Sequence, residues 1–216
     1  MVISVSDLDI LYPAVPKAGC SSVKAMLAEI DPSFEGEPSD PSSTLLFHRA
    51  YPTRRWRKKR FNEFSEGYRF TVVRDPVKRL MSVYTNRVVD KKDLHKSRRL
   101  KKRGLLSLDP DPDTFFLNLD RYARLSSSIH HHIIPTRYFT GPGLSVYSRV
   151  YKTEEMSTVA EDLGRISGRE ISVRRSNKSK ARLKFEDLQP FTKNTLLPRL
   201  NAEYDFLKTY YENPFS

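Results

Sequence analysis

The chain has 216 residues, 38% hydrophobic and 11% aromatic, enough to bury one sizeable core and too apolar for bulk disorder. Its 38 Lys and Arg against 26 Asp and Glu give a net charge of +12, which selects anionic partners: a polyphosphorylated small molecule, an acidic glycan, an anionic membrane surface or nucleic acid. A single cysteine, Cys20, excludes an internal disulfide, and the sequence lacks the roughly 20-residue apolar stretch that crosses a bilayer, so the chain is expected to be soluble and cytoplasmic.

In chain order, LDILYPAV (8–15) is short, apolar and β-leaning, the pattern of a buried first strand. Val23, Met26, Leu27 and Ile30 then fall at helical spacing, and Asp31-Pro32 ends that helix. The loop between them, VPKAGCSS, carries its lysine ahead of the glycine, the reverse of the nucleotide-binding loop G-x-x-x-x-G-K-[ST]. The ingredients of an anion cradle are present nonetheless. The backbone N–H groups of Ala18, Gly19, Cys20, Ser21 and Ser22 stand at a helix N-terminus, Gly19 permits close approach, the two serines add hydroxyls, and Lys17 adds an ammonium. A plain helix cap with a solvated lysine is the alternative reading of the same residues.

Residues 31–44 form a Pro/Ser/acid-rich loop, followed by a short apolar piece ending at His48 and by the basic, helix-leaning RRWRKKRFNEF. YRFTVVR is a strand that runs directly into DPVKRLMSVYTNRVV, a helix with Asp75 at its N-cap, Pro76 at its first position and an apolar stripe of Val77, Leu80, Met81 and Tyr84. Arg74 is expected to leave the carboxyl edge of the sheet, where open α/β folds bind ligands. Ser82 lies on the polar side of the helix near Arg79, and a guanidinium with a nearby hydroxyl suits a second phosphate. An ordinary Arg-Asp pair at a helix start is the alternative.

A basic run at 89–103 follows, then an amphipathic helix marked by Phe115, Phe116, Leu119 and Tyr122. SIHHHIIPTRYFTGPG reads as loop, and VYSRVYKTEEM as strand passing into a helix that Gly168 closes. The tail from Phe185 reads as helix interrupted by Pro190 and Pro198. Strands alternating with helices predict an α/β fold, a single domain over 1–216 built as three α/β/α layers around a mostly parallel central sheet. The histidines at 130–132 do not predict a metal site, because neighbouring side chains diverge in extended chain and no Cys or Glu accompanies them at ligand spacing. The basic stretches at 54–60 and 91–103 are read as solvated helix faces rather than a nucleic-acid interface.

Two anion sites on neighbouring strands imply a ligand with phosphates at both ends. PKAGCSS resembles the 5′-phosphosulfate loop, and FTVVRDPVKRLMSVY the 3′-phosphate motif, of sulfotransferases that use 3′-phosphoadenosine-5′-phosphosulfate (PAPS). VPKAGCSSVK is similar to the V-P-K-x-G-C-[TS]-x-x-K form of the Golgi-type carbohydrate sulfotransferases, and HIIPTRYF, YSRVYKTEEM and RRSNKS echo the same family. The resemblance implies a P-loop-like fold and in-line transfer of a sulfuryl group to a hydroxyl of a carbohydrate or similar, anionic acceptor, without a metal. It assigns Lys17 to the leaving oxygen, residues 18–22 to the 5′-phosphate, Arg74 and Ser82 to the 3′-phosphate, and Asn177 and Ser179 to closure over the nucleotide. For the general base it points to His48, between the two motifs, where the uronyl-directed enzymes keep a histidine. His132 is the rival, three residues before Pro135, with Ile133 and Thr136 in place of the usual Trp and Gln. The missing membrane anchor and lumenal cysteines point to a bacterial or cytosolic relative, or to a shortened form of a Golgi-type enzyme. Two further classes compete: a P-loop-like kinase, which would need the absent G-x-x-x-x-G-K-[ST] loop, and a non-enzymatic basic module for nucleic acid or anionic surfaces.

Overall fold

The computed structural model describes residues 3–37, 44–62, 67–173 and 181–216; Asn177 and Ser179 lie outside the described residues. In chain order the elements are β1 (Ile3–Val5), a 3-10 turn (Ser6–Leu8), β2 (Ile10–Tyr12), α1 (Cys20–Ile30), α2 (Thr44–Ala50), α3 (Lys58–Asn62), β3 (Tyr68–Val73) and α4 (Pro76–Val83). A wide helical segment (Tyr84–Asp90) leads to α5 (Asp93–Lys96), α6 (Arg98–Arg103), α7 (Pro112–Leu117), α8 (Leu119–Leu125), α9 (Ser127–Ile133) and α10 (Arg137–Thr140). β4 (Arg149–Lys152), α11 (Met156–Ser167), a 3-10 turn (Phe185–Asp187) and α12 (Pro190–Leu207) complete the chain. It divides into two compact units, Met1–Arg74 with Thr136–Lys178, and Asp75–Pro135 with Ser179–Ser216.

The first unit contains the sheet, in the order β1-β2-β3-β4. β1 runs antiparallel to β2, with Ile3 opposite Tyr12, whereas β2 to β3 and β3 to β4 are parallel. Alternation assigns the two faces. Ile10, Tyr12, Phe70, Val72 and Tyr151 pack in one cluster with Val23, Met26, Leu27 and Ile30 of α1 and Val159, Ala160 and Leu163 of α11. Tyr12 stacks on Phe70 with ring centroids 5.0 Å apart. Leu11, on the opposite face, meets Phe61 of α3 and Tyr147, with Trp56, Leu144 and Val150 packed against them. The sheet is thus covered on both sides, in keeping with the buried, mostly apolar β2 and the buried second half of β3.

The second unit is helical throughout its described residues. Its core joins Leu80, Met81 and Val83 of α4 to Phe115, Phe116, Leu119, Tyr122, Ile129, Leu196, Leu200 and Tyr204. Arg79 is buried there rather than exposed on a polar face: one guanidinium nitrogen pairs with Glu203 Oε2 at 3.2 Å and the other donates to Ile134 O at 2.6 Å.

Several local expectations are corrected. β1 precedes the strand expected to be first, while the short apolar piece ending at His48, given no structure above, lies in α2. The segment read as loop around the three histidines forms α9, capped by Ser126 Oγ, which accepts from Ile129 N–H at 3.4 Å, with Ile129 and Ile133 buried one turn apart. The single amphipathic helix around 115–122 is two, α7 and α8. Pro190 opens α12 at its first turn, where it lacks only an N–H that has no intrahelical partner, and the helix continues through Pro198.

Candidate active site

The link from β2 to α1 is the tight loop that the sequence marks as an anion cradle. Lys17 (φ +67°) and Gly19 (φ +70°) both adopt the left-handed conformation, and Gly19 is the N-cap of α1. A Cβ on Gly19 would sit 3.3 Å from the sulfur of Met156, so backbone angle and space both favour glycine. Of the five amides expected to face the anion, two are committed within the loop. Ala18 N–H donates to Val15 O at 3.2 Å and Ser22 N–H to Gly19 O at 3.0 Å. The amides of Gly19, Cys20 and Ser21 have no backbone acceptor among the described residues. Amides left without backbone acceptors at the start of an 11-residue helix are the kind of donor an anionic oxygen takes up.

Arg74 joins this loop to the neighbouring strand. Leaving the end of β3, its guanidinium donates to Lys17 O at 3.0 Å, while Thr71 Oγ1, buried in β3, donates to Pro13 O at 2.9 Å. Because β2 and β3 are parallel neighbours, both junctions open at the same carboxyl edge, and Lys17 and Arg74 belong to one place. In the second unit, Asp75 caps α4: Oδ1 accepts from Lys78 N–H at 2.8 Å and Oδ2 from the Tyr204 hydroxyl at 2.8 Å. Ser82 is half-buried on α4, with its hydroxyl donating to Arg79 O at 2.7 Å.

His48 reaches the cradle from α2. Its Nε2 lies 3.1 Å from Ser21 Oγ, and its Nδ1 lies 3.1 Å from Lys24 Nζ. Lys24 has 0% exposure, and its ammonium also donates to Thr53 Oγ1 at 2.8 Å. Burial holds its pKa below the usual lysine value, opposed by the nearby Cys20 thiol. Beside a protonated Lys24, the nitrogen that faces it is the acceptor, which leaves the proton on Nε2. His132 has the opposite arrangement: its Nδ1 lies 2.7 Å from the carbonyl of Ser128, so Nδ1 carries the proton and Nε2 the lone pair. Lys24 went unmarked in the sequence reading as a site residue; its only signal was its place as the last residue of the VPKAGCSSVK pattern.

Among the described residues no cluster of three or more His, Cys, Asp or Glu could hold a metal, and no helix is long and apolar enough to cross a membrane. Part of the basic 91–103 run is internally neutralised, Lys92 and His95 by Asp109 and Lys96 by Asp93.

Among curated proteins and among solved structures, nothing matches the chain significantly. A family model does, the sulfotransferase family, over residues 2–208. That match spans the strand-loop-helix holding Lys17, the junction at Arg74 and both histidines, in both compact units. With a family match over nearly the whole chain, the protein belongs to the sulfotransferase family.

Proposed function

We propose that the protein transfers a sulfuryl group from PAPS to a hydroxyl of a carbohydrate or similar acceptor. The observation that carries this reading is the bond from Arg74 to the Lys17 carbonyl, which draws the two motifs of the resemblance together at one sheet edge. The cradle fits a phosphosulfate: three amides without backbone acceptors, two serine hydroxyls and a lysine surround the start of α1. When bound, PAPS would supply an activated sulfuryl group on a good leaving oxygen. Gly19, Cys20 and Ser21 would hold the 5′-phosphate through their N–H groups, and Arg74 the 3′-phosphate, with Ser82 assigned to that phosphate by the resemblance. Lys17 would neutralise negative charge building on the departing oxygen. The acceptor hydroxyl must lose a proton, and the resemblance offers two histidines to take it, His48 and His132.

Binding of adenosine 3′,5′-bisphosphate, followed by titration calorimetry, tests the reading without knowledge of the acceptor. Wild type should bind, and Arg74→Ala should weaken binding at least ten-fold, the size of a charged hydrogen-bond pair. No binding at millimolar nucleotide, or an unchanged Arg74→Ala, would overturn it. Given an acceptor, the variant of His48→Ala and His132→Ala that abolishes transfer while retaining nucleotide identifies the base.

A further inference from the structure

The buried lysine of α1 has no role in the mechanism above, yet it sits at the end of a continuous polar chain. Thr53 Oγ1, Lys24 Nζ, His48 and Ser21 Oγ are linked by contacts of 2.8, 3.1 and 3.1 Å, running from the protein interior to the mouth of the cradle. We propose that Lys24 is a positioning residue whose ammonium fixes His48 as the Nε2–H tautomer, so that His48 donates to Ser21 Oγ and the Ser21 hydroxyl is left to donate to the anion held by the loop. The function assigned to Ser21 rests on the sulfotransferase reading; the tautomer of His48 does not.

The direction of each bond follows from the inventory of donors. An ammonium has three hydrogens and no lone pair, so Thr53 Oγ1 and His48 Nδ1 are both acceptors. A neutral imidazole with Nδ1 accepting carries its hydrogen on Nε2, and that hydrogen points at Ser21 Oγ. The serine oxygen then has one lone pair occupied, and its own hydrogen turns away from His48. Without the ammonium, Nε2 can instead accept the serine proton, which turns the hydroxyl from donor to an anion into donor to a histidine. The other titratable group acting on Lys24 is Cys20, at the first position of α1. Thus His48 serves the cradle as a fixed donor, and Lys24, fully buried where a lysine is costly, is retained for what it does to its neighbour.

Long-range proton–nitrogen NMR correlation of the full chain at neutral pH reads the tautomer directly, with His48 assigned by loss of its signals in His48→Asn. The expected wild-type spectrum has a protonated Nε2 and an unprotonated Nδ1. In Lys24→Met, which keeps length and removes charge, the pattern should shift towards Nδ1–H or the imidazolium. Affinity for adenosine 3′,5′-bisphosphate should fall about ten-fold in Lys24→Met and in Ser21→Ala, and no further in the double variant, since both remove the same hydrogen bond. A wild-type His48 with Nδ1–H or doubly protonated, or an unchanged tautomer in Lys24→Met, would overturn the proposal. So would additive losses of affinity. If Lys24→Met does not fold, the wild-type spectrum decides alone. Nucleotide that fails to bind wild type while the tautomer is as expected would count against the PAPS reading and leave the Lys24–His48 relation standing.

Discussion

Lys17 combines two features rarely found together. It is a non-glycine residue held at φ +67°, and its carbonyl is the acceptor for Arg74. A left-handed conformation costs an L-residue roughly 1–2 kcal/mol, and such strain persists where the surroundings over-determine it, as they do with Arg74 on one side and Gly19 on the other. Two substitutions separate backbone from charge. Lys17→Ala and Lys17→Gly both remove the ammonium, and both should lower turnover far more than affinity for adenosine 3′,5′-bisphosphate, given the proposed role of that charge at the leaving oxygen. Only glycine relieves the backbone. Lys17→Gly should therefore exceed Lys17→Ala in stability by about 1 kcal/mol, seen as a melting temperature ~2–4 °C higher for a chain of this length. Equal melting temperatures would show that the loop stores no strain at this position, and an Ala variant with full turnover would remove Lys17 from the chemistry.

Each junction depends on how its helix begins, and the two helices begin differently. α1 starts at a glycine with no side-chain cap, whereas α4 starts at Asp75, which caps it and accepts from Tyr204. One helix start is open and the other is closed by a side chain. Asp75→Ala should cost about 1–3 kcal/mol by loss of the cap and of the tyrosine's acceptor, while Asp75→Asn, which can still cap, should cost less than half as much. Urea unfolding of the two variants checks this order; equal losses would mean that the carboxylate charge, not the cap, matters. These junctions were legible in the sequence because an apolar run changes period at a cap residue, as at Arg74-Asp75-Pro76. Other elements were not, for identifiable reasons. β1 has three residues, too few to establish alternation, and α9 lies among three histidines and ahead of Pro135, so its Ile129–Ile133 spacing was masked by polar neighbours. Among candidate site residues, Lys17, Arg74 and Ser21 were marked by motif and spacing. Lys24 was not, because a lysine inside an amphipathic helix is ordinarily on its wet side, and the apolar stripe does not show that Ala25 and Ala28, off the stripe, are buried as well.

Across the whole chain the net charge of +12 makes acid pH doubly unfavourable, since each carboxylate that protonates removes an attraction and adds to self-repulsion. Each unit carries a carboxylate that anchors its own fold. In the first, Asp162 of α11 is desolvated by burial, but hydrogen bonding from Tyr151 and pairing with Arg149 and Arg165 outweigh that and hold its pKa below the usual value. In the second, burial of Asp93 is likewise outweighed by Ser128, Lys96 and Arg87. A folded pKa below the unfolded value of about 3.9 means that the stabilisation is fully present above that value and is lost as pH falls through the lower, folded one. Asp162→Asn should therefore reduce the urea midpoint most at pH 7, and the gap to wild type should close on acidification below about pH 4, as wild type itself protonates. Asp93→Asn should behave in the same way through the second unit. The two substitutions share no partners, so their effects at pH 7 should add. A gap that stays constant from pH 7 to the acid limit would show that the Asn variants lose packing rather than charge, and that the acid sensitivity of the protein comes from its overall positive field instead of from these two anchored carboxylates.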